Sequence, residues 1–448
     1  MATARRRAAV RQLSLWANGA HVGEWRLPNR GSMELQYAKH WLESDERRPL
    51  SLCLPLTLDD VPLKGRPVEA YFDNLLPDND ALRKRVQQRF RAPSAHPFDL
   101  LSAIGRDCVG AVQLLSVGEL PVGLEKIEAE PLSEAALARA IAASLSPAAV
   151  NIDSDEFRIS IAGAQEKTAF LKHRGRWCRP HGATPTTHIF KLPLGLVGNM
   201  RADMSTSVEN EWLCSRILAA YGLPIARCDI ERFGDFKVLV VERFDRILHS
   251  SGKYWLRLMQ EDLCQALATP SSNKYEADGG PGLRDIGRVL RGSANRTQDL
   301  SVLLKAQILF WMLAATDGHA KNFSVRILPG GQYQLTPLYD VLSAWPIIGK
   351  RANQLACEKA RLALAMHSTR AHYRIRDIQR RHFDLAARHL GVAANADAIV
   401  TELLEATPGV LAGVQKGLPR SFPARVLGPV LEGLEKSSRL LLQAERSR

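Results

Sequence analysis

The segment that begins at Asp317 constrains this chain more than any other. It opens as Asp-Gly-His-Ala-Lys-Asn, ending at Asn322, and strand-forming residues then run over 323–328 and 332–338, joined by Pro-Gly-Gly. A join of this kind is typical of a tight hairpin. Asp340 follows the second run. Because antiparallel strands place the start and the end of a hairpin side by side, we expect two carboxylates and one amide to cluster here.

Such a cluster has the groups that phosphoryl transfer from ATP requires. In that chemistry the first Asp of a D-x-x-x-x-N loop accepts the proton of the acceptor hydroxyl, and the Asn and a later Asp bind Mg²⁺. These roles fall to Asp317, Asn322 and Asp340. The alternative is that Asp-Gly is a turn, Asn322 a cap and Asp340 the N-cap of a helix over 341–343. Each residue alone favours the alternative, whereas the three in this order favour phosphoryl transfer.

A lysine in a strand is the second feature that such a site needs. The run Thr187–Leu192 reads as a strand with Lys191 between two large apolar residues, and a helix capped by Ser207 follows. In kinases a strand lysine binds the α- and β-phosphates and pairs with a glutamate of the next helix. Glu209 and Glu211 are both candidates, and we prefer Glu211. The alternatives are an edge lysine that reaches solvent and a glutamate that merely suits a first helical turn.

Two further segments fit the same chemistry less specifically. Residues 157–171 alternate, turn at Ala162-Gly163 and alternate again, as does a hairpin that covers ATP phosphates. An ordinary hairpin is the better interpretation of this segment alone, because the turn has one glycine and not three. The apolar strand that starts at Lys237 runs into the polar segment 242–244. We expect that segment to be a hinge that offers backbone groups to adenine.

The chain, 448 residues with 46% hydrophobic residues, is long enough for several domains or lobes. We predict an α+β fold: a two-lobed protein-kinase-like fold with an extra N-terminal mixed α/β module and a helical C-terminal lobe. The predicted units are 1–125, 126–245 and 246–448. A hairpin around Asn18-Gly19 opens the first unit. The remaining predictions are a strand at 50–54, a helix from 67, helices at 81–90 (capped by Asp80), 98–104, 131–146, 208–221, 260–268, 283–291, 300–315 and 380–390, a mobile loop at 271–282, and helical pieces from 396 that Pro408 interrupts.

Charge and cysteines limit the class of protein. The net charge of +13 indicates either an acidic partner or an arginine-rich surface without one. The basic segment 374–382 is a candidate for contacting DNA phosphates, although a solvated helix face is the better interpretation. The seven cysteines show no C-x-x-C pair, which predicts a reducing cytosol and no structural zinc. No apolar run is long enough for a bilayer, so we expect a soluble cytoplasmic protein with no membrane partner.

Six segments together resemble the HipA kinase family. The resemblance runs in family order to about residue 345 and is faint beyond 390. Like that family, the chain lacks the H-R-D and D-F-G motifs of general protein kinases. The six segments are YFDNLLP (71–77), DCVGAVQ (107–113), RISIAGAQEK (158–167), TPTTHIFKLP (184–193), VERFDR (241–246), and TDGHAKNFS (316–324) with LYDVLS (338–343).

The resemblance implies a role for each matching position. Asp317 resembles the catalytic base, Asn322 and Asp340 the Mg²⁺ ligands, and Lys191 the phosphate-binding lysine. Ser160 resembles the serine that the family autophosphorylates, which silences the enzyme by moving the phosphate loop. The positions that resemble the ATP-binding ones, in the phosphate loop, the hinge and the catalytic segment, are Ala162, Gly163, Ala164, Gln165, Glu166, Lys167, Glu242, Arg243, Phe244, His319, Ala320, Lys321, Asn322 and Tyr339.

The resemblance also implies a function. Members are serine/threonine protein kinases and growth-arresting toxins of bacterial toxin–antitoxin pairs, with ATP and Mg²⁺ as cofactors. They bind HipB, a helix-turn-helix antitoxin, and with it co-repress their operon on operator DNA. The implied substrate is an aminoacyl-tRNA synthetase or another translation protein. Two alternatives stay open: a small-molecule kinase on the same fold, and an idle co-repressor that only binds antitoxin and DNA. The intact Asp317, Asn322 and Asp340 set counts against the second.

Overall fold

The computed structural model describes residues 10–57, 61–145, 162–163 and 165–446. These residues form twelve α-helices and twenty strands arranged in six sheets. Of the helices in this part of the chain, none has the length and apolar character that crossing a bilayer would require.

The first module is an antiparallel five-stranded sheet with four helices. Its strand order is β4-β3-β2-β1-β5, so the last strand pairs with the first. The strands are Arg11–Ala17 (β1), Ala20–Leu27 (β2), Glu34–Tyr37 (β3), Leu63–Lys64 (β4) and Val112–Ser116 (β5), and the helices are Lys39–Glu43 (α1), Arg66–Asp73 (α2), Asp80–Phe90 (α3) and Pro97–Ile104 (α4).

The predicted hairpin of this module is confirmed, and two details are corrected. Asn18 and Gly19 both have positive φ, 48° and 86°, which is the turn that matches the twist of paired strands. The cap of α3 is Asn79, whose side chain accepts the N–H groups of residues 81 and 82, and not Asp80, which is the first helical residue. The strand predicted at 50–54 is wrong, because the segment is a turn closed by one bridge between Ser51 and Leu54.

The next lobe is built on a six-stranded sheet. Its order is β12-β13-β9-β7-β8-β6, and it includes the predicted lysine strand as β9. The strands are Ala129–Pro131 (β6), Lys167–His173 (β7), Arg176–Pro180 (β8), His188–Lys191 (β9), Gly195–Val197 (β10), Ala202–Met204 (β11), Cys228–Phe233 (β12) and Phe236–Glu242 (β13), and the helices are Glu134–Leu145 (α5) and Ser207–Ala220 (α6). β10 and β11 form a separate hairpin.

The third part is helical but carries more strands than its sequence predicts. Its strands are Arg246–Leu248 (β14), Trp255–Arg257 (β15), Gln260–Asp262 (β16), Ser324–Ile327 (β17), Tyr333–Leu335 (β18), Arg361–His367 (β19) and Ala371–Arg374 (β20). Its helices are Leu263–Ala266 (α7), Leu283–Leu290 (α8), Arg296–Met312 (α9), Arg380–Leu390 (α10), Asp397–Lys416 (α11) and Ala424–Arg446 (α12).

Several predictions for this part are wrong. The helix predicted at 260–268 is the short strand β16 followed by the single turn α7. α11 runs through Pro408 without interruption. The basic stretch 374–382 is not one helix face, because it contains the end of β20, a 3₁₀ turn and the start of α10. Arg380 within it is buried in an ion pair with Asp384, so it does not reach a DNA phosphate.

The largest hydrophobic core joins the two lobes. It packs α6 against α11 and α12, and α12 in turn against α9, and its fully buried residues include Leu213, Leu309, Val400 and Leu434. Burial of a leucine side chain contributes about 1.5–3 kcal/mol. Helix α6 is therefore held by the helical lobe even though it follows the strands of the other lobe.

A buried ion network joins the first module to the hinge. Asp107, just before β5, contacts three arginines: Arg246 at 2.9 Å, Arg257 at 3.3 Å and Arg243 at 3.4 Å. Asp245 pairs with Arg243 and Arg246, both at 2.8 Å. All five side chains are buried. Burial alone would raise the pKa of Asp107, but the three guanidinium groups hold that pKa well below its usual range.

Candidate active site

The predicted hairpin is present at the centre of the helical lobe. β17 and β18 pair antiparallel, with Val325 opposite Leu335, and β16 adds a third strand. The strands are shorter than predicted, and the connection is a 3₁₀ turn over Pro329–Gly331. Asn322 lies just before β17 and Asp340 five residues after β18. The hairpin thus brings these two side chains to one end of the sheet.

Asp340 is not a helix cap. Residues 341–343 form no helix, and Asp340 has φ of 62°, in the left-handed region that Asp tolerates better than most residues. The side-chain nitrogen of Asn322 donates to the backbone carbonyl of Asp340 at 3.1 Å. This bond fixes the amide beside the carboxylate and leaves the oxygen atom of the amide as its remaining polar atom.

Lys191 is held between two carboxylates. Its Nζ lies 2.6 Å from Glu211 Oε1 and 2.8 Å from Asp340 Oδ1. Glu209 instead pairs with Lys237, so the preferred partner, Glu211, is confirmed as the residue that contacts the lysine. The lysine of β9, the glutamate of α6 and the aspartate after β18 therefore meet at one point between the lobes.

The electrostatics of this triad keep Lys191 and Asp340 charged. Burial acts to lower the pKa of Lys191, but Asp340 and Glu211 outweigh it and raise that pKa. Burial acts to raise the pKa of Asp340, but Lys191 and Lys167 hold it well below its usual range. Asp340 is therefore ionised at neutral pH, as a metal ligand must be.

Asp317 lies at the open side of the same cavity. Its side chain is 55% exposed, and its Oδ1 accepts a hydrogen bond of 2.5 Å from the hydroxyl of Tyr275. His319, two residues on, is buried, and burial lowers the pKa of His319, so its ring is neutral at pH 7. The predicted base is thus the solvent-facing carboxylate and Asp340 the enclosed one.

The described part of the predicted phosphate loop lies over these residues. Lys167 donates from Nζ to the carbonyl of Ala162 at 2.7 Å. Gly163 has φ of 112°, a backbone conformation that glycine adopts and other residues rarely do, so a substitution there would be strained. Ser160 and Ala164, with the strand predicted at 157–161, lie outside the described residues.

One cavity of about 180 Å³ is lined by most of the predicted positions. Those on its wall are Ala162, Gly163, Gln165, Lys167, Lys191, Glu242, Arg243, Phe244, Asp317, His319, Lys321, Asn322, Tyr339 and Asp340. Glu166 and Ala320 are not on the wall: Glu166 forms an ion pair with Arg85, and Ala320 is buried. The volume is below the 300–1,000 Å³ usual for ligand sites, in keeping with the direct contact of Lys191 with Asp340 across it.

The hinge residues contribute to the cavity in a different way from the one that the sequence predicts. The guanidinium of Arg243 belongs to the buried ion network described above, and its backbone N–H donates to the carbonyl of Thr187 at 2.9 Å. Phe244 lies against Tyr339, with ring centroids 5.7 Å apart. Ile189, Val241 and other apolar side chains complete this end of the wall. The result is an apolar slot at the hinge and a charged end at Lys191.

Sequence reasoning missed the share of the first module in this site. Asn74 and Asp78 both line the cavity. Lys321 donates to the carbonyl and to Oδ1 of Asn74, at 2.8 and 2.9 Å, and lies 3.4 Å from both Asp78 and Asp262. Lys321 therefore joins the module to the catalytic segment. No local pattern around Asn74 or Asp78 indicates this, because their partner is more than 240 residues away.

Comparisons with known proteins agree with these features. A family model described as the HipA-like C-terminal domain matches residues 159–411, more than half of the chain, and the HipA N-terminal domain matches residues 13–115. A putative kinase of Sinorhizobium fredii, Y4mE, is 34% identical over 338 residues, which cover 75% of this chain and 77% of the relative. The serine/threonine-protein kinase toxin HipA of Shewanella oneidensis is 30% identical over 322 residues, 69% of each chain.

A solved structure shares the fold. In the Shewanella oneidensis MR-1 complex of HipA, HipB and operator DNA, a chain matches with a TM-score of 0.77 and 22% identity, over 97% of this chain and 99% of the other. This likeness confirms the predicted fold class.

Proposed function

This chain belongs to the HipA family of kinases, and from that premise we propose that it is an ATP- and Mg²⁺-dependent serine/threonine protein kinase, the toxin of a bacterial toxin–antitoxin pair. The observation that carries the proposal is the meeting of Asp317, Asn322, Asp340 and the Lys191–Glu211 pair at one cavity.

Each of these groups has one task in phosphoryl transfer. Lys191, oriented by Glu211, binds the α- and β-phosphates of ATP, and the apolar slot beside Phe244 takes the adenine. Asp317 accepts the proton of the acceptor hydroxyl while the hydroxyl oxygen attacks the γ-phosphorus. The bond from that phosphorus to the β-phosphate oxygen breaks, and ADP leaves.

The donor set suits magnesium. Mg²⁺ prefers carboxylate and amide oxygens, and Asp340 and Asn322 supply one of each, tied together by the bond from the Asn322 amide. When bound, the metal neutralises charge on the phosphates. Asp340 and Asn322 would hold the metal, and Lys191, which contacts Asp340 at 2.8 Å in this structure, would bind the phosphates.

Regulation and partners follow from the family. We propose that Ser160 is the autophosphorylated serine of the phosphate loop, that a HipB-like helix-turn-helix antitoxin binds this chain, and that the pair co-represses its operon on operator DNA. The Shewanella complex, which contains HipB and operator DNA, supports the partners. The proposed substrate is an aminoacyl-tRNA synthetase or another translation protein. None of the seven cysteines forms a disulfide, which is typical of the reducing cytoplasm, and we propose that the toxin–antitoxin pair acts there.

We also propose that the chain divides into the units 1–125, 126–245 and 246–448. The five-stranded sheet, the six-stranded sheet and the helical part with the catalytic hairpin support this division. The core around α6 crosses the second boundary, so the two lobes are coupled by packing.

Substitution of the base tests the proposal. The purified full chain, incubated with labelled MgATP, should incorporate phosphate into itself or into an added protein, and a chelator of Mg²⁺ should abolish this. Asp317→Asn should lower the rate by about 10²–10⁴-fold, because a positioned general base contributes that factor. The fold should stay intact, because the Asp317 side chain is largely exposed.

The matched control is Asp235→Asn, an exposed aspartate in the turn between β12 and β13. It should transfer phosphate at the wild-type rate. If Asp317→Asn were as active as this control, Asp317 would not be the base.

A further inference from the structure

The segment 271–282, which the sequence predicts to be a mobile loop, is held at the mouth of the cavity by side-chain contacts. It contains 3₁₀ turns at Ser271–Asn273 and Glu276–Asp278, with Tyr275 between them. The Tyr275 ring meets the His319 ring edge to face, with centroids 5.0 Å apart. Its hydroxyl reaches Asp317 Oδ1 at 2.5 Å.

We propose that Tyr275 is a positioning residue for the catalytic base, fixing the carboxylate of Asp317 for proton transfer. The inference deepens the proposed kinase function and rests on it. An aspartate side chain that is 55% exposed has little packing of its own to hold it. A short hydrogen bond from a ring that is itself packed against His319 supplies that restraint.

The tyrosine acts as a donor throughout the working pH range. Burial and the nearby charge of Asp317 raise the pKa of Tyr275 well above its usual value, so the hydroxyl stays protonated. A neutral phenol beside a carboxylate donates its proton to a hydrogen bond and keeps it. Tyr275 therefore orients the base without competing for the proton that the base removes.

The arrangement leaves one carboxylate oxygen for the acceptor. Oδ1 of Asp317 holds the Tyr275 bond and lies 3.9 Å from His319 Nε2. Asp317 lines the cavity, whereas Tyr275 is not on the cavity wall and contacts Asp317 from behind that wall. The second oxygen, Oδ2, is thus the atom that takes the proton of the acceptor hydroxyl while Tyr275 holds Oδ1.

The position of Tyr275 is set from two sides. Lys274, the preceding residue, pairs with Asp78 of the first module at 2.9 Å. Glu276, the next residue, contacts His367 at 2.6 Å and accepts the backbone N–H of Ala365 at 2.6 Å, both in β19. The tyrosine between them is held at both neighbours, as a positioning group needs to be.

The test is Tyr275→Phe in the full chain, which removes the hydroxyl and keeps the ring against His319. We expect the turnover number for phosphate transfer to fall about 10–100-fold, while the KM for ATP and the affinity for MgATP stay within twofold of wild type. Tyr333→Phe is the matched control: it removes a hydroxyl bonded to a backbone carbonyl, Val289 O, at 2.7 Å, and should leave the turnover number unchanged.

A double-mutant cycle separates positioning from general damage. If Tyr275 acts through Asp317, Tyr275→Phe in an Asp317→Asn background should change the residual single-turnover rate by less than twofold. An equal loss in both backgrounds would overturn the inference and indicate a structural role.

Other outcomes are distinct. A wild-type turnover number in Tyr275→Phe overturns the inference alone, and a faster one shows instead that the tyrosine blocks the base as a pseudosubstrate. Absence of any phosphate transfer by the wild-type chain overturns the proposed function, and the inference with it.

Discussion

Two lysines that face the same cavity differ in how firmly they hold their protons. Asp340 and Glu211 raise the pKa of Lys191. Among the described residues no carboxylate forms an ion pair with Lys167, and burial together with the charge of Lys191 lowers the pKa of Lys167 to about 8. Near pH 8, therefore, the site changes by one positive charge, and that charge belongs to Lys167.

This difference predicts a pH dependence of nucleotide affinity. Protonated Lys167 attracts phosphate and the neutral amine does not, so affinity for MgATP should be highest below pH 8 and fall as pH rises through that value, by about tenfold between pH 7 and 9.5. Titration calorimetry at intervals over that range measures it. In Lys167→Met the affinity should be weaker and independent of pH, and an equal decline in this variant would assign the effect to another group.

The sequence predicted those residues whose partners are local. Asn322 and Asp340 are joined by one hairpin, and the spacing of Asp317 and Asn322 is fixed by a single segment, so the pattern of residue types sufficed. Tyr275 and Lys321 were beyond such reasoning, because their contacts come from parts of the chain that only the folded structure brings near. Lys321 matched a nucleotide-binding position by resemblance, yet its ammonium group is surrounded by acceptors of the protein itself.

At the level of elements, the three residues of β16 face two different parts of the molecule, the cavity and the first module. Gln260 and Asp262 line the cavity, whereas Glu261 between them points to the first module and accepts the N–H of Leu52 at 2.7 Å. This is the alternation of a strand. The sequence predicted a helix here because three residues are too few to show that period, and because Asp262 and Gln265 form a genuine capping box for the turn that follows.

Another missed element, β19, has a different cause. β19 reads Arg-Leu-Ala-Leu-Ala-Met-His, which are good helix formers. It is a strand because it pairs with β20 and packs on α10, and such tertiary contacts override propensity. No local signal in β19 marks that outcome.

Glu261 makes the stability of this junction depend on pH. Burial raises the pKa of Glu261 to about 8, against 4.5 for an exposed glutamate. Between these values the folded chain holds a proton that the unfolded chain has released, so stability should fall as pH rises through the window, by up to about 1.4 kcal/mol per pH unit from this group.

Glu261→Gln should remove that contribution while keeping an acceptor for Leu52. Compared with wild type, the variant should gain stability from pH 5 to pH 8 in urea unfolding. Glu43→Gln, at an exposed glutamate paired with Lys39, should keep the wild-type pH dependence. Parallel curves for wild type and Glu261→Gln would show that Glu261 is ionised in the folded chain.

At the scale of the whole molecule, the first module is fastened to the hinge by charge. Asp107 is the only carboxylate that contacts all three arginines of the buried network among the described residues. Its removal leaves Arg257 buried without a carboxylate partner among the described residues, and breaking a buried pair costs about 3–5 kcal/mol. Asp107→Asn should therefore lower the urea midpoint strongly, whereas Asp229→Asn, in an exposed pair with Arg216, should leave it unchanged. Similar midpoints for the two variants would refute this account.

The whole-molecule architecture was predictable to the extent that motifs in family order imply it. The two lobes and the extra module were expected, and the fold class is confirmed. The way the module closes over the cavity was not expected, because Asn18 meets the backbone of Arg257, and Asn74 meets Lys321, across sequence separations of 239 and 247 residues. Contacts of that separation leave no periodic trace in either segment.

Those sequence separations also mean that, during synthesis, one partner of each contact is made well before the other. A ribosome adding about 5–20 residues per second makes Lys321 roughly 10–50 s after Asn74. For most of that interval the growing chain carries Asn74 and Asp78 of the cavity wall but none of Asp317, Asn322 and Asp340. Because Asp340 follows Lys321 in the chain, the site is completed later still, and a nascent polypeptide that does not yet include Asp340 has no complete centre for phosphoryl transfer.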